Sequence, residues 1–316
     1  MSVVAIGLVA IGLAVVAPFG GSALAQQQNF DNVQVHVLPV QGNVYMLVGA
    51  GGNTTLQAGK EGVLLIDTQF GPLAGKIMAE VRKINAGPVR WIINTHFHPD
   101  HVGGNQAISN LVGANNPAAP LGIIAHENVL NRLTKPVTGN ETPATEGGLP
   151  TDEYFTKFKD MHFNGEAIII YHEPNAHTDG DSVVLFRGSD VVSTGDIFTP
   201  ESYPFIDVDH GGTLAGEITA LNHILDLVVP SHTEEGGTYI IPGHGRLCDE
   251  DDLVEYRDML VIVRDRIQDS IKKGRNLEQV KASQPTLDYD GRYAPKGGFV
   301  SADRFIETVY KSLGGK

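Results

Sequence analysis

Cysteine is almost missing from this chain. A single thiol, Cys248, stands among 316 residues, so no disulfide can form within the chain and folding rests on apolar burial and any bound ions. Cys248 follows His244 by four positions, yet it reads as a small buried apolar residue and not as a ligand. Positive charge is scarce as well: 23 Lys and Arg stand against 37 Asp and Glu, a net charge of -14. That deficit argues against a nucleic-acid partner, which needs clustered Lys and Arg for the phosphates. It suits a soluble protein that repels its own copies. Beyond residue 25 no apolar run is long enough to cross a bilayer, so no stable membrane insertion is expected once the N-terminal segment is removed. The glycine-rich stretch Gly49-Ala50-Gly51-Gly52-Asn53 has no helix after it. A dinucleotide or phosphate cradle is therefore not expected there.

The first 25 residues carry no charge of either sign. Val3 to Phe19 is apolar, and Ala23-Leu24-Ala25 closes it with an Ala-x-Ala pattern. This predicts a secretory signal peptide over 1-25 and a periplasmic or secreted location, although no Lys or Arg precedes the apolar run. Residues 26-316 suffice for one large domain ending in helices.

What the chain has instead is histidine in one place. Three of its 12 histidines fall within Thr95-His96-Phe97-His98-Pro99-Asp100-His101-Val102-Gly103-Gly104, which follows the buried-strand pattern Trp91-Ile92-Ile93-Asn94. Imidazole nitrogens and a carboxylate oxygen suit zinc or a similar divalent ion. In extended backbone His96 and His98 point the same way and can converge on one ion. The turn at Pro99 sends Asp100 and His101 elsewhere, to a second ion nearby.

The pattern His-x-His-x-Asp-His resembles the signature of the metallo-beta-lactamase superfamily. The likeness continues in order through Asn175-Ala176-His177-Thr178-Asp179-Gly180-Asp181, Ser193-Thr194-Gly195-Asp196 and Pro242-Gly243-His244-Gly245. It spans roughly residues 33-248. The resemblance implies an α/β fold, a four-layer αβ/βα sandwich with the metal site at the edge between the two sheets. It implies that residues 26-316 form one catalytic domain. It also implies two divalent ions, zinc first among the candidates. His96, His98 and His177 would hold the first, Asp100, His101 and His244 the second, and Asp196 would lie between them. Two such ions hold a bridging hydroxide and clamp the oxygen that turns negative, so hydrolysis of a carbonyl or phosphoryl centre is the natural chemistry. Asp100 would bind the second ion and orient the nucleophile or shuttle a proton, and Asp196 would join the two ions, making these the catalytic carboxylates. Asp67, at the end of the strand Val63-Leu64-Leu65-Ile66, would orient a metal-bound histidine from behind.

Within the superfamily, the diiron oxygen reductases carry a carboxylate where this chain has His98, so electron transfer is disfavoured. Glyoxalase II and lactonase-like members share an aspartate that holds both ions, as Asp196 would. Exported lactam hydrolases suit the compartment but carry cysteine or serine at that position. The expected activity is a dinuclear zinc hydrolase of an ester, lactone or amide-like bond in a small molecule. A beta-lactamase is the alternative, and a non-catalytic metal-binding protein the second one.

The rest of the chain alternates in the manner of packed sheets and helices. Strands are expected at Val33-Val37, Val44-Val48, Thr54-Gln57, Val63-Ile66, Gly122-His126, Ala167-Tyr171, Ser182-Phe186, Val191-Thr194 and Thr238-Ile241. Helices are expected at Leu73-Ile84, Val102-Leu111, Glu127-Leu133, Thr213-Val228, Asp249-Lys273 and Ser301-Leu313. Residues 274-298 read as irregular. Thr134 to Thr151, rich in Pro, Thr and Gly, reads as a long loop, either a flap over the site or a surface excursion. His126 is expected to pack rather than to ligate, His172 competes less well than His177 for the ligand role, and His210 would join only an atypical site. The apolar residues of the loop after Asp196 either wall the substrate cleft or tie the loop to the fold.

Overall fold

A computed structural model describes residues 29-115, 121-135, 144, 146-233 and 236-315. The N-terminal segment 1-25 and half of the loop 134-151, residues 136-143 and 145, lie outside the described residues. The first half builds β1 (His36–Gln41), β2 (Val44–Val48), β3 (Thr54–Gly59), β4 (Gly62–Ile66), α1 (Ala74–Ile84), β5 (Val89–Ile93), α2 (Pro99–Val102), α3 (Asn105–Asn115), β6 (Gly122–His126), α4 (Glu127–Thr134) and β7 (Asp152–Tyr154). The second half builds β8 (Phe158–Phe163), β9 (Glu166–Glu173), β10 (Asp181–Phe186), β11 (Val191–Ser193), α5 (Leu214–Leu227), β12 (Tyr239–Ile241), α6 (Glu250–Lys272), α7 (Leu277–Ala282), α8 (Leu287–Tyr293) and α9 (Ala302–Ser312).

The strands form two sheets, one of seven strands in the order β1-β2-β3-β4-β5-β6-β7 and one of five in the order β12-β11-β10-β9-β8. Side chains along a strand alternate between faces, and the central strands are apolar on both. In β4, Val63 and Leu65 pack with α1 and α3, while Leu64 and Ile66 face the other sheet. In β10 and β12 the same alternation sends Val184, Phe186 and Ile241 into the middle layer, and Val183 and Ile240 toward α5 and α6. This double burial yields the four-layer αβ/βα sandwich expected from the resemblance, with helices outside and two sheets within. In α6, the stripe Leu253, Tyr256, Leu260, Val263 and Ile267 is fully buried, as its helical spacing predicts.

Four local expectations change. The first strand begins at His36, because Lys76 Nζ donates to the backbone oxygens of Phe30, Asp31 and Val33, each at 2.7 Å. That holds the segment in a turn instead of a ladder. The helix after the histidine motif divides into α2 and α3 at Gly103-Gly104. Residues 274-298 are not irregular, since they contain α7 and α8. The first of these starts with a capping box in which Asn276 and Gln279 satisfy each other's backbone N–H, a signal present in the sequence. Strands β7 and β8 were also not expected. They are edge strands, short or polar on one face, held by pairing to β6 and β9.

Five chain segments end at one rim of the sandwich. Asp67 follows β4, His96 to His101 follow β5, His177 lies between β9 and β10, Asp196 follows β11 and His244 follows β12. All the sequence-predicted ligands therefore come from strand ends and reach the edge between the sheets.

Candidate metal centre

The side chains at this rim divide into two groups whose ligand atoms lie within 4.8 Å of one another. His96, His98, His177 and Asp196 form one, and Asp100, His101 and His244 the other. His98 Nδ1 is 3.0 Å from His177 Nε2. In the second group Asp100 Oδ2 is 3.2 Å from His244 Nε2, and His101 Nε2 is 3.4 Å from His244 Nε2. Asp196 turns one oxygen to each group. Its Oδ2 is 3.9 Å from His96 Nε2 and 3.8 Å from His177 Nε2. Its Oδ1 is 3.1 Å from His101 Nε2 and 3.5 Å from His244 Nε2. The structure thus brings together all seven residues singled out in the sequence.

The nitrogen of each buried histidine that faces away from the cluster is held by an acceptor, which aims the other lone pair inward. His96 Nδ1 lies 3.0 Å from Thr95 Oγ1, and that hydroxyl donates to Asp67 Oδ2 at 2.7 Å. His101 Nδ1 meets the same carboxylate oxygen at 2.7 Å. His98 Nε2 is 2.9 Å from Asp207 Oδ2. His177 Nδ1 donates to the Phe205 carbonyl. Asp67 therefore stands behind the histidine motif as expected, and it does so with a left-handed backbone, φ 60°. Asp207 was read in the sequence only as a member of the loop after Asp196. Its role depends on a contact spanning 109 positions, for which the sequence offers no local signal.

Two glycines permit the close approach. A Cβ on Gly52 would stand 2.3 Å from His101 Cε1, and one on Gly243 would stand 2.0 Å from Asp196 Oδ1. The loop that carries His244 is tied down by Asn53, whose Nδ2 donates to the carbonyls of Pro242 and Gly245 at 2.9 and 3.1 Å.

Charge in the cluster is tightly coupled. Burial pushes the imidazole of His177 down to about 4 and that of His96 well below its usual range, with His101 adding to the effect at His96. Burial also acts against protonation of His101 and His244, but Asp196 outweighs it, joined by Asp67 at His101 and Asp100 at His244. His101 rises well above its usual range and His244 to about 9. At Asp196 and Asp100 burial favours the acid form. The adjacent histidines outweigh it and hold Asp196 well below the usual carboxylate range and Asp100 below it. His96 and His177 are thus neutral imidazoles beside ionised carboxylates, as a divalent cation requires, whereas His101 and His244 carry protons that a cation at the second group would displace.

The fit to such an ion can be tested on unpartnered atoms. His96 Nε2 is buried and makes no hydrogen bond among the described residues, and Asp196 Oδ1, also buried, has the charged contact to His101 Nε2 at 3.1 Å but no hydrogen bond of good geometry. An orphaned buried donor or acceptor costs about 1-3 kcal/mol, and both atoms face the cluster. Cations in this nitrogen and oxygen pocket would remove the penalty, so the residues fit a two-ion centre.

Other candidates fall elsewhere. His126 and His172 stack on each other, centroids 3.5 Å apart, and His172 Nε2 contacts the Asp179 carbonyl at 3.0 Å. Neither belongs to the cluster. His210 Nδ1 meets Asp207 Oδ2 at 2.7 Å. Cys248 is buried and free. Of the loop after Asp196, Phe198, Tyr203 and Ile206 are core, whereas Phe205, with one side of Tyr203, lines a cavity of about 500 Å³ whose lining includes Asp100, Asp196 and His244. Both readings of that loop therefore hold, for different side chains. Among the described residues, no helix is long and apolar enough to cross a membrane.

Comparison with known proteins gives concordant matches. The family model of the metallo-beta-lactamase superfamily matches residues 40-281. A linear primary-alkylsulfatase from Pseudomonas sp. (strain ATCC 19151) is 44% identical over 48 residues, which is 15% of this chain and 9% of that protein. Among solved structures, the stereoselective inverting sec-alkylsulfatase Pisa1 from Pseudomonas sp. superposes with a TM-score of 0.64 at 16% identity, covering 88% of this chain and 50% of that one. A metallo-beta-lactamase from Pontibacter korlensis gives a TM-score of 0.55 at 16% identity, covering 72% of this chain and 99% of that one. The chain thus spans a small part of the matched alkylsulfatase sequence and about half the length of the alkylsulfatase structure.

Proposed function

The chain belongs to the metallo-beta-lactamase superfamily, and from that premise we propose that it is a metal-dependent hydrolase of an ester-type bond in a small molecule, with alkyl sulfate esters as the first substrate class. The observation that carries the reading is Asp196, which turns one carboxylate oxygen to each of two histidine groups at the floor of an open cavity. A structural ion site is closed to substrate, whereas a catalytic one keeps access. Similarity to an alkylsulfatase in sequence and to another in fold supports the sulfate-ester class. A beta-lactamase is the second reading, favoured by the near-complete span of a lactamase structure.

We propose zinc as the ion, on the nitrogen and oxygen donor set. Two such ions, when bound, supply an activated water and positive charge for the developing oxyanion. His96, His98 and His177 would hold one, Asp100, His101 and His244 the other, and Asp196 both. Asp100 is part-exposed to the cavity and ionised, so it is placed to accept a hydrogen bond from the attacking water and to retain its proton. Asp67 and Asp207 keep His101 and His98 from rotating. The uncharged apolar segment 3-19 and the Ala-x-Ala pattern support a periplasmic or secreted location.

The test is hydrolysis of a panel of octyl sulfate, an aryl ester, a lactone and a chromogenic cephalosporin by zinc-loaded and chelated protein. Turnover of the sulfate or the esters that chelation abolishes is the expected result. Faster cephalosporin turnover would move the assignment to lactams, and no turnover with two ions bound would remove the hydrolase reading.

A further inference from the structure

An aromatic wall rises from the metal centre to the surface on one side of the cavity. Phe205 begins it, with its ring centroid 6.0 Å from that of His98 and 5.8 Å from that of His177. Phe299 continues it outward, 5.2 Å from Phe205 and nearly perpendicular at 77°. Val300 and Tyr203 fill in behind, both buried and both lining the same cavity. Phe299 itself is 71% exposed, so the apolar surface runs without a break from the histidines to the solvent.

Arg304 fixes this pair. Its Cζ lies 4.9 Å from the Phe205 centroid and 5.1 Å from that of Phe299, and Nη1 donates to the Phe299 carbonyl at 3.5 Å. It sits in the first turn of α9, capped by Ser301, where a cation opposes the helix dipole. No carboxylate pairs with it among the described residues, although the chain has an excess of acidic side chains. Its position is therefore set by the two rings.

We propose that Phe205 and Phe299, clamped by Arg304, bind an alkyl chain of the substrate, which makes the substrate an amphiphile with its oxyanionic head at the metal centre. The proposal rests on the ester-hydrolase reading for the bond that is cleaved. The arrangement matches such a molecule at both ends: ligand groups suited to cations at the floor, and a continuous apolar strip leading outward. Arg304 acts through the rings and is a positioning residue.

The experiment uses zinc-loaded protein and n-alkylsulfonates of four, six, eight and ten carbons, below their micelle concentrations, with Kd measured by calorimetry. Sulfonates are not hydrolysed, so chain recognition is read apart from turnover. If the esters of the panel are not cleaved, the hydrolase reading fails while the chain-length slope still stands or falls by itself. In the wild type, Kd should fall by up to about fourfold for each methylene that is buried. Phe299→Ala should remove at least tenfold of the gain between four and ten carbons. Arg304→Gln should weaken the ten-carbon ligand about threefold and the four-carbon ligand less, and Arg304→Lys should restore most of the loss. Kd independent of chain length would overturn the proposal, as would an equal loss for short and long ligands in Phe299→Ala. Tighter binding of a chain ending in a second carboxylate, lost in Arg304→Gln, would assign Arg304 to a charged tail and overturn it too.

Discussion

Asp207 accepts from both His98 and His210 through one carboxylate oxygen, at 2.9 Å and 2.7 Å. The same short loop places the Phe205 carbonyl on His177 Nδ1. Two histidines of the first group, one after β5 and one between β9 and β10, are thus aimed from a third segment that supplies no ligand. Burial tends to raise the Asp207 carboxyl, but the bond to His98 outweighs it and brings it to about 2. The group therefore remains an acceptor throughout the neutral range, which keeps the proton of His98 on Nε2 and the lone pair of Nδ1 inward.

Replacing Asp207 by Ala should weaken zinc binding at the first group by about 10-100-fold, the usual effect of losing the partner behind a metal-bound histidine. Asp207→Asn keeps one acceptor oxygen and should retain part of the affinity. Competition with a chromogenic chelator reads both variants. Affinity within twofold of wild type in Asp207→Ala would show that His98 is oriented without it.

Gly52→Ala tests the second group. The added Cβ would meet the His101 ring at 2.3 Å, and that ring is pinned on its far side by Asp67. With no room on either side, His101 must leave its position or the β2-β3 turn must move. The expected outcome is one ion per chain by elemental analysis where wild type binds two, with turnover falling in step. Retention of both ions would mean that the turn yields more readily than its hydrogen bond to the Asp100 carbonyl suggests.

The seven clustered residues were legible because their motifs are local: a strand, a turn, and donor side chains at fixed spacing. The two-sheet sandwich was legible for a similar reason, since strands such as Val63 to Ile66 are apolar on both faces. Asp207 and Gly52 were not, because each acts on a histidine brought near only by folding. Helices α7 and α8 were missed for another reason. Their apolar content is low, and their start signal at Asn276 and Gln279 is brief. Arg304 read as an ordinary residue of the last helix, because the rings that hold it are distant in sequence or lie before the helix begins.

Glu217 is fully buried in α5, and neither carboxyl oxygen has a hydrogen-bond partner among the described residues. Burial, then the nearby Asp181 and Asp196, pushes its pKa well above the usual range. The folded chain thus keeps a proton there that the unfolded chain releases near pH 4 to 5. Stability from this group is complete below that range and is lost as pH rises toward the folded value. Glu217→Met removes two unsatisfied oxygens at similar volume and should stabilise by about 1-3 kcal/mol, more at pH 8 than at pH 5. Urea unfolding at the two pH values measures it. A loss of stability in the variant would reveal a partner for the carboxyl.

The stacked pair His126 and His172 predicts acid sensitivity of the opposite sign. Burial, followed by the charge of His172, lowers His126 to about 4, with Asp179 acting weakly the other way. Arg132 pairs with Asp179, which weakens the support that carboxylate gives to a proton on His126, and the ring of Tyr154 stands 5.2 Å away. The unfolded imidazole titrates near 6.5. Between that pH and about 4 the unfolded chain binds a proton that the folded chain refuses, so stability falls as the pH is lowered through this window and stops falling below it. From pH 6.5 to 5 the loss amounts to about 2 kcal/mol at most. His126 also caps α4, where its Nδ1 accepts from Asn128 N at 3.3 Å, and His126→Asn preserves an acceptor for that cap without a titrating group. Urea unfolding of chelated protein at pH 7 and 5, with ion loss thereby removed from the comparison, should show a smaller drop in the variant than in wild type. Equal drops would place the acid sensitivity in the metal-centre histidines and not in the stack.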